Sequence, residues 1–382
     1  MAKWYQDTMW WILKNTKGKK LVESCNIEVV SHQEEPEPPF ILMGNHAHAQ
    51  DPYMIGHFMN HTVNYMANID GVSDIQRRLS NLVGAYGKKK GASDFAALKQ
   101  TINLLKNGNA IGIFPEGDRS WDGSTVDFIP GTASIAKRYK VPIRIAKMTG
   151  AYLTEPRWAD YPRRGRVLID FRTITVEEIA LMSATELEKK ICSMLKHNDI
   201  KDPLNNEIVF TGENLASGIQ RIIWFCPECG AQDSINGSGD KIICSVCGKN
   251  WQLDGNLRIS PTGRAGADLK DWIDMQADEM KKICESAGDA VLTRTDDITL
   301  SEVIDRKMTT PRNGNLVLYR DRIEFSYENS GMLVFDNIQV EHYIDNFNKA
   351  FEFDYGKKRY RVIFDGKNAS KWIFFLNYLK AI

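Results

Sequence analysis

The sequence of 382 residues lacks several features that would assign it to a class at once. No apolar run approaches the roughly 20 residues that a membrane-spanning helix requires, and the N-terminal segment has no small-residue cleavage site of a secretory signal. Lys and Arg total 49, as do Asp and Glu, so no overall charge attracts nucleic acid or an acidic membrane. We therefore expect no nucleic-acid partner and no membrane span. The length predicts two or three domains.

Aromatic and basic residues are nevertheless concentrated in the first 20 residues. This segment contains five lysines and one acidic residue, and it carries Trp4, Trp10 and Trp11. Tryptophan favours the bilayer interface, and lysine favours anionic headgroups. The segment is predicted to form an interfacial helix that lies on a membrane. A helix that packs on the protein's own core is the alternative.

The first candidate site follows the apolar run 40–43, which predicts a short buried strand. Gly44 ends the run, and Asp51 followed by Pro52 is typical of a helix start with Asp51 as the N-cap. His46 is thus predicted at the carboxyl end of a strand, where open α/β sheets bind ligands. A histidine with a carboxylate in reach can act as a general base. In the alternative interpretation, Asp51 only caps its helix.

A second apolar strand is predicted over 111–114, and the residues PEGDRS follow it at 115–120. A glycine turn that carries an arginine suits a phosphate, because backbone amides and a guanidinium can both face the anion. The amide region at Glu116 and Gly117, together with Arg119, is therefore a candidate anion site.

Helical periodicity is clearest over 94–106 and 177–195, the second range being predicted as a helix pair. In the first range the apolar residues recur at helical spacing, and they predict a core-facing side made of Phe95, Leu98, Ile102 and Leu105.

The motif H-x4-D at His46 and Asp51, followed by FPEG-x-R-S at 114–120, resembles the glycerolipid acyltransferase family over about residues 25–175. The resemblance implies an α/β sheet with flanking helices, in which His46 and Asp51 are catalytic. It also implies a substrate-binding set made of Glu116, Gly117, Arg119, Lys88, Lys89 and Lys90. Many members carry arginine where this chain has the three lysines, and lysine lacks the bidentate fork of arginine.

The same resemblance implies a 1-acylglycerol-3-phosphate O-acyltransferase of phospholipid synthesis. His46 would deprotonate the hydroxyl of lysophosphatidate, which would attack an acyl thioester of coenzyme A or of acyl carrier protein. Glycerol-3-phosphate or another lysolipid is the alternative acceptor. A catalytically silent membrane adaptor is the alternative from another class, and the presence of both complete motifs argues against it.

Two CxxC pairs separated by 14 residues lie further along the chain, at Cys226, Cys229, Cys244 and Cys247. Two such pairs typically close a four-sulfur zinc site, so a structural zinc ribbon is predicted, with a redox pair as the alternative. Thiols kept for zinc imply a reducing compartment. We therefore expect a cytoplasmic protein that is peripheral on the inner face of the membrane.

From about residue 290, short apolar segments alternate with turn signals, and an aromatic-rich helix is predicted over 369–379. This pattern resembles the pleckstrin-homology-like fold. The predicted fold class is α/β, an acyltransferase-like sheet with flanking helices plus a small zinc ribbon and a β-rich C-terminal module. The predicted domains are an acyltransferase domain with its interfacial helix at 1–222, a zinc ribbon at 223–254, a helical linker at 255–289 and a β-rich module at 290–382.

Overall fold

The computed structural model describes residues 3–68, 82–88, 95–304, 307–327, 331–346 and 350–382. The chain divides into two compact units. The first comprises residues 1–157 and 162–212, and the second comprises residues 158–161 and 213–382.

The first unit is built on a seven-stranded sheet with the order β1-β7-β6-β2-β5-β3-β4. Neighbouring strands are parallel except for β6 and β7, which are antiparallel. The predicted strand that precedes His46 is therefore confirmed as β2, at the middle of the sheet. The strands are β1 (Ile27–His32), β2 (Ile41–Gly44), β3 (Val63–Asn68), β4 (Tyr86–Lys88), β5 (Ala110–Ile113), β6 (Ile143–Thr149) and β7 (Val167–Ile174).

Helices flank this sheet, as predicted. They are α1 (Lys3–Leu13), α2 (Lys19–Ser24), α3 (Asp51–Gly56), α4 (Phe95–Lys106), α5 (Thr132–Tyr139), α6 (Ala151–Thr154), α7 (Val176–Leu181) and α8 (Ala184–Leu195), with a π-helical turn at Lys14–Gly18 and a 3₁₀ turn at Pro203–Asn206. The predicted pair over 177–195 is confirmed as α7 and α8, and each begins with a capping box. Among the described residues, none of the helices combines the length and apolar character that a membrane span needs.

One core cluster of the first unit lies between the sheet and helices α5 and α8. Ile41 and Met43 of β2 pack with Ile111 and Ile113 of β5 in this cluster. All four residues of β2 are buried, because helices cover both faces of a parallel sheet of this kind.

Helix α4 buries a different side from the one that its apolar spacing predicts. Phe95 is 81% exposed and Leu98 is 41% exposed, whereas Leu105 is buried. The buried side includes Thr101, whose hydroxyl group shares a hydrogen bond with that of Tyr86 at 2.9 Å. The prediction that Phe95 and Leu98 face the core is therefore wrong, whereas Leu105 is buried as predicted.

The second unit contains a five-stranded antiparallel sheet, and of the four cysteines Cys244 lies in its strand β9. Its strands are β8 (Ile235–Ser238), β9 (Lys241–Cys244), β10 (Asn250–Leu253), β11 (Arg258–Gly263) and β12 (Gly266–Asp268), and a 3₁₀ turn at Ile219–Arg221 precedes them. The sheet thus continues past residue 254, where the predicted ribbon ends. Helix α9 (Leu269–Ser286) follows, and the side chain of Asp268 caps its first turn.

The C-terminal part of the second unit is an antiparallel sheet with the path β17-β16-β15-β13-β20-β19-β18. The first strand of this sheet, β13, lies in its centre and pairs with both β15 and β20. This β-rich module with a terminal helix confirms the predicted fold class. The elements are β13 (Thr293–Ile304), β14 (Lys307–Met308), β15 (Arg312–Leu318), β16 (Arg322–Tyr327), β17 (Gly331–Asp336), a 3₁₀ turn (Asn337–Gln339), β18 (Val340–Asn346), β19 (Ala350–Tyr355), β20 (Lys358–Ile363) and α10 (Ser370–Ala381).

Candidate active site

The two sequence motifs meet because strands β2 and β5 are parallel neighbours in register. Met43 pairs with Ile113, so the loops that follow both strands leave the same edge of the sheet. The backbone N–H of Ser120 donates to the carbonyl oxygen of His46 at 2.8 Å. The H-x4-D loop and the FPEGDRS loop are therefore joined directly by a backbone hydrogen bond.

His46 and Asp51 form a close pair at this edge. The Nδ1 atom of His46 lies 2.8 Å from Oδ2 of Asp51, whose side chain is fully buried, while 21% of the His46 side chain is exposed. The buried carboxylate is an acceptor, so we assign the proton of the neutral imidazole to Nδ1. The lone pair of Nε2 is then left to accept a proton, as in a general base that a carboxylate orients.

The carboxylate of Asp51 binds the loop before it and does not cap the helix after it. It accepts backbone N–H groups of Ala47 at 2.9 Å and of His48 at 3.0 Å. Gln50 occupies the N-cap position of α3 without a side-chain cap, and Asp51 lies in the first turn. The N-cap prediction is therefore wrong. Three donors, two of them from the backbone, hold Asp51 in place for His46.

His48 is engaged through both ring nitrogens and is not available as a second base. The backbone N–H of Gln50 donates to its Nδ1 atom at 2.9 Å. Its Nε2 atom must then carry the proton, and this atom lies 2.8 Å from Oε2 of Glu155. Hydrogen bonding to His48 is the main factor that lowers the pKa of Glu155. His46 therefore has an Nε2 atom that can accept a proton, whereas His48 does not.

Glu116 lies behind the two loops and connects them. It is 5% exposed, and its carboxylate accepts the N–H groups of His46 at 2.6 Å and of Val126 at 3.1 Å, one on each oxygen. Burial raises the pKa of Glu116 to about 8, against the opposing effect of these two donors. Both oxygens are occupied, so this carboxylate positions the backbone of His46.

The amide of Gly117 is also occupied, because its N–H donates to the carbonyl oxygen of Phe114 at 3.1 Å. Gly117 has a φ of +72°, and the glycine closes the turn that β5 enters. The expectation that this amide faces an anion is therefore corrected. The turn uses the amide for its own hydrogen bond.

Arg119 is the cationic residue of the FPEGDRS loop whose side chain is available to bind a ligand. Among the described residues, its guanidinium group has no hydrogen-bond or ion-pair partner, although its backbone N–H donates to Asp118. Burial lowers the pKa of Arg119, and the nearby charge of Arg157 lowers it further. A partly desolvated guanidinium next to a second one is an arrangement that an anion stabilises.

Arg157 is a functional candidate that the sequence did not reveal. Its guanidinium group lies 3.1 Å from the Asp118 carboxylate and donates to the carbonyl oxygen of Arg119 at 3.2 Å. The same group stacks at 3.9 Å over the ring of Trp121. Arg157 thus braces the loop that carries Arg119. No local pattern signals this role, because Arg157 lies in an irregular segment 38 residues downstream of Arg119.

The predicted lysine cluster cannot be placed in the site. Lys89 and Lys90 lie outside the described residues, and for Lys88 only the backbone is described, at the end of β4. Their role in binding a substrate stays a prediction.

The second unit holds the predicted metal ligands, and their four sulfur atoms lie within 4.8 Å of one another. The sulfur atoms of Cys226 and Cys247 are 3.8 Å apart, as are those of Cys229 and Cys244. Zinc–sulfur bonds of about 2.3 Å at tetrahedral angles require sulfur atoms about 3.8 Å apart, whereas a disulfide bond needs about 2 Å. The four thiols therefore fit a single tetrahedral metal ion.

Glycines complete the turns that carry these cysteines. Gly230 has a φ of +73° and Gly248 a φ of +74°. Their N–H groups donate at 3.0 Å to the carbonyl oxygens of Cys226 and Cys244. Both turns need the left-handed backbone that glycine adopts without strain, as the sequence predicts.

Comparison with known proteins identifies relatives of the first unit. Residues 25–145, which contain both motifs, match the family model described as acyltransferase. A curated 1-acyl-sn-glycerol-3-phosphate acyltransferase of Saccharomyces cerevisiae is 24% identical over 181 residues, which are 45% of this chain. The match spans 59% of the length of that relative. A solved structure of the 1-acyl-sn-glycerophosphate (LPA) acyltransferase PlsC from Thermotoga maritima is 22% identical, covers 49% of this chain and 76% of that chain, and has a TM-score of 0.41.

The family match and the geometry agree on the same residues. The matched range brings the His46–Asp51 pair and the loop of Arg119 to one edge of the sheet. Residues 25–145 are therefore similar to the acyltransferase family, and the yeast relative supports a glycerolipid acyltransferase.

Proposed function

We propose that this protein transfers an acyl group from a thioester to the free hydroxyl of lysophosphatidate. The observation that carries the proposal is the His46–Asp51 pair at the same sheet edge as Arg119, a cation without a partner among the described residues. The base suits a hydroxyl nucleophile, and the open guanidinium suits the phosphate of the acceptor. The yeast relative is named for the same acceptor.

In the proposed reaction, the Nε2 atom of His46 takes the proton of the acceptor hydroxyl as its oxygen attacks the thioester carbonyl carbon. The new ester C–O bond forms, the C–S bond breaks, and the thiolate leaves as a thiol after taking the proton from His46. Asp51 stabilises the imidazolium that forms between these two steps. The acceptor is itself the nucleophile, so the reaction needs no acyl-enzyme.

The donor is a thioester of coenzyme A or of acyl carrier protein. Glycerol-3-phosphate remains the second candidate acceptor, because Arg119 would meet the same phosphate group in it. A silent adaptor is disfavoured by the two backbone donors that lock Asp51 against His46, since a scaffold without catalysis has no use for an oriented imidazole.

We further propose that the N-terminal helix rests on the membrane. Trp4 is 70% exposed and Trp11 is 62% exposed on α1, whereas Trp10 is 4% exposed. The helix therefore both packs inward and presents tryptophans outward, which combines the two interpretations of its sequence. Exposed tryptophans and nearby lysines suit an anionic lipid surface, and reduced thiols suit the cytoplasmic side.

The four-cysteine cluster is proposed to hold structural zinc. Four sulfur ligands close the coordination shell of a tetrahedral ion, so the metal would have no open position for a substrate. We propose domains at 1–222, 223–254, 255–289 and 290–382, with strands β11 and β12 of the ribbon sheet lying within the range 255–289.

The proposed activity is tested with purified full-length protein and a panel of labelled donors and acceptors. We expect acyl transfer to lysophosphatidate to exceed transfer to 1-acylglycerol by at least about tenfold, since a charged hydrogen bond contributes roughly 1.5–3 kcal/mol. Equal transfer to both acceptors would contradict the phosphate role of Arg119. The absence of transfer from either donor to any acceptor would favour the adaptor.

A further inference from the structure

An aromatic column runs from the N-terminal helix to the catalytic imidazole. The ring of Trp10 lies 6.0 Å from that of Tyr65, measured between centroids. Tyr65 is stacked on Phe114 at 5.9 Å with 13° between the ring planes. Phe114 is stacked on His46 at 4.4 Å with 19° between the planes. Four rings from four separate segments thus form one continuous series.

Glycines make room for the three rings below His46. A Cβ atom at Gly56 would lie 2.4 Å from the ring of Trp10, and one at Gly112 would lie 2.4 Å from the ring of Tyr65. At Gly44 it would lie 3.2 Å from the ring of Phe114. None of the three glycines has a positive φ, so they serve close approach and not an unusual backbone. Gly44, which ends β2, therefore allows the Phe114 ring to approach the backbone closely.

The rings themselves, and not their polar atoms, account for this column. Among the described residues, neither the Tyr65 hydroxyl nor the Trp10 Nε1 atom has a hydrogen-bond partner, although both atoms are buried. An unpaired buried polar group costs about 1–3 kcal/mol. Trp10 and Tyr65 therefore contribute to the site through the packing of their flat rings.

The column and Asp51 restrain the imidazole in complementary ways. The hydrogen bond from Nδ1 to Asp51 lies along the edge of the ring and sets its rotation. Stacking on Phe114 sets the tilt of the ring plane. A general base must hold its accepting atom in a narrow position, and misplacement by about 1 Å can cost roughly a hundredfold in rate.

We propose that Phe114, Tyr65 and Trp10 are positioning residues for His46, so that the seating of helix α1 sets the orientation of the base. This inference rests on the proposed function of His46. It assigns α1 two separable tasks. Its exposed tryptophans face the lipid, and its buried tryptophan supports the column that reaches the imidazole.

The decisive variant is Trp10→Leu, because Trp10 is three rings away from the substrate and Leu keeps an apolar side chain. Turnover is measured on a water-soluble short-chain acceptor without vesicles, which removes membrane binding from the assay. We expect kcat to fall about tenfold to hundredfold, with KM for the thioester unchanged within about twofold. Tyr65→Leu should lower kcat by a similar factor. The conservative variants Tyr65→Phe and Trp10→Phe should keep most of the wild-type kcat.

Phe171→Leu is the matched control for lost aromatic packing. Phe171 is fully buried on β7 in the same unit but lies outside the column. We expect it to lower the melting temperature about as much as Trp10→Leu and to leave kcat unchanged. Equal losses of kcat in the two variants would overturn the proposal, because stability alone would then explain both.

A spectroscopic readout separates this inference from the proposed activity. The Cε1 proton of His46, assigned with a His46→Gln variant, should be shielded by the Phe114 ring in the wild type. Its NMR resonance should move downfield in Phe114→Leu and also shift in Trp10→Leu, but stay in place in Phe171→Leu. An unmoved resonance in Trp10→Leu would overturn the column even in an active enzyme. A moved resonance in a protein without transferase activity would retain the column and reject the proposed function.

Discussion

The second unit and the two motif loops of the first unit differ in how they bind buried charged groups. In the C-terminal sheet, the buried carboxylate of Glu352 lies 3.0 Å from Arg359 and 2.5 Å from Arg361, and buried Lys371 pairs with Asp233. At the motif loops, the backbone amides of Ala47 and His48 bind the carboxylate of Asp51, and the guanidinium group of Arg119 has no hydrogen-bond or ion-pair partner among the described residues.

The difference separates charged groups that stabilise the fold from charged groups that are available for binding or catalysis. Ion pairs of the second unit satisfy each other, so they have little capacity left for a ligand. Backbone amides bind the Asp51 carboxylate without bringing a full opposite charge to it. An unpaired guanidinium keeps its affinity for an anion. Sites of the second kind cost stability and are typical of binding and catalysis.

Metal removal should have the largest effect. A strong chelator, or the variant Cys226→Ser, should remove one zinc per chain and destabilise the cysteine-containing sheet by an amount on the order of 10 kcal/mol, as for other structural zinc sites. Metal analysis and urea unfolding measure this loss. The matched variant Cys284→Ser alters a buried cysteine outside the cluster, and it should retain the metal. If the metal-free protein kept the full free energy of unfolding, the metal would have no structural role.

His46→Ala should lower kcat by about 10²–10⁴, equivalent to roughly 3–5 kcal/mol of activation free energy, because general-base assistance is lost. Thioester binding and the melting temperature should change little, since the side chain lies at the open edge of the sheet. Asp51→Asn should also impair turnover, and it should weaken the loop of Ala47 and His48 that the carboxylate holds. A His46→Ala protein with most of the wild-type rate would contradict the mechanism.

Glu116→Gln tests how the buried carboxylate responds to pH. Burial raises its pKa from 4.5 to about 8, so the folded state keeps a proton that the unfolded chain releases between these values. Stability from this group is fully present below about pH 4.5 and is lost as the pH rises to about 8. The free energy of unfolding should therefore fall less from pH 5 to pH 8 in Glu116→Gln, by an amount on the order of 3 kcal/mol. Equal slopes in urea unfolding would contradict this.

Arg119→Lys sharpens the comparison of open and paired arginines. We expect KM for lysophosphatidate to rise about tenfold to hundredfold, because lysine keeps the charge but loses the bidentate fork. KM for the thioester should change little. Arg361→Lys changes an arginine that is paired with Glu352 in the second unit, and it should leave both KM values unchanged. An equal effect of the two variants would contradict the view that only the unpaired arginine binds the phosphate.

The smallest effect is expected at the exposed face of α1. Trp4→Ala combined with Trp11→Ala should weaken sedimentation with anionic vesicles, and neutralising the nearby lysines should remove about 1 kcal/mol of binding per charge. Raised salt should mimic part of the loss, since exposed charges are screened within about 8 Å. The melting temperature should hardly change, because both tryptophans are largely exposed. Deletion of residues 1–20 is a poorer test, since it also removes buried Trp10.

The sequence pattern predicted correctly those elements whose structure depends mainly on residues close to them along the chain. The apolar runs predicted β2 and β5, the helical pattern over 177–195 predicted α7 and α8, and the CxxC spacing predicted the four-cysteine cluster. Strand β13 has only a weak local signal, because its residues, Thr293 to Ile304, are rich in polar side chains. Pairing on both sides keeps it a strand.

The sequence by itself determined which chemistry is present: a histidine with a carboxylate five positions later, an arginine after a glycine turn, and four thiols at metal-binding spacing. Only the tertiary structure decided the tasks of individual groups. It turned Asp51 towards the preceding loop, occupied Glu116 and Gly117 with backbone contacts, added Arg157, and connected Trp10 to His46 through the rings of Tyr65 and Phe114. These outcomes depend on contacts between segments distant along the chain, where packing and desolvation outweigh any local preference.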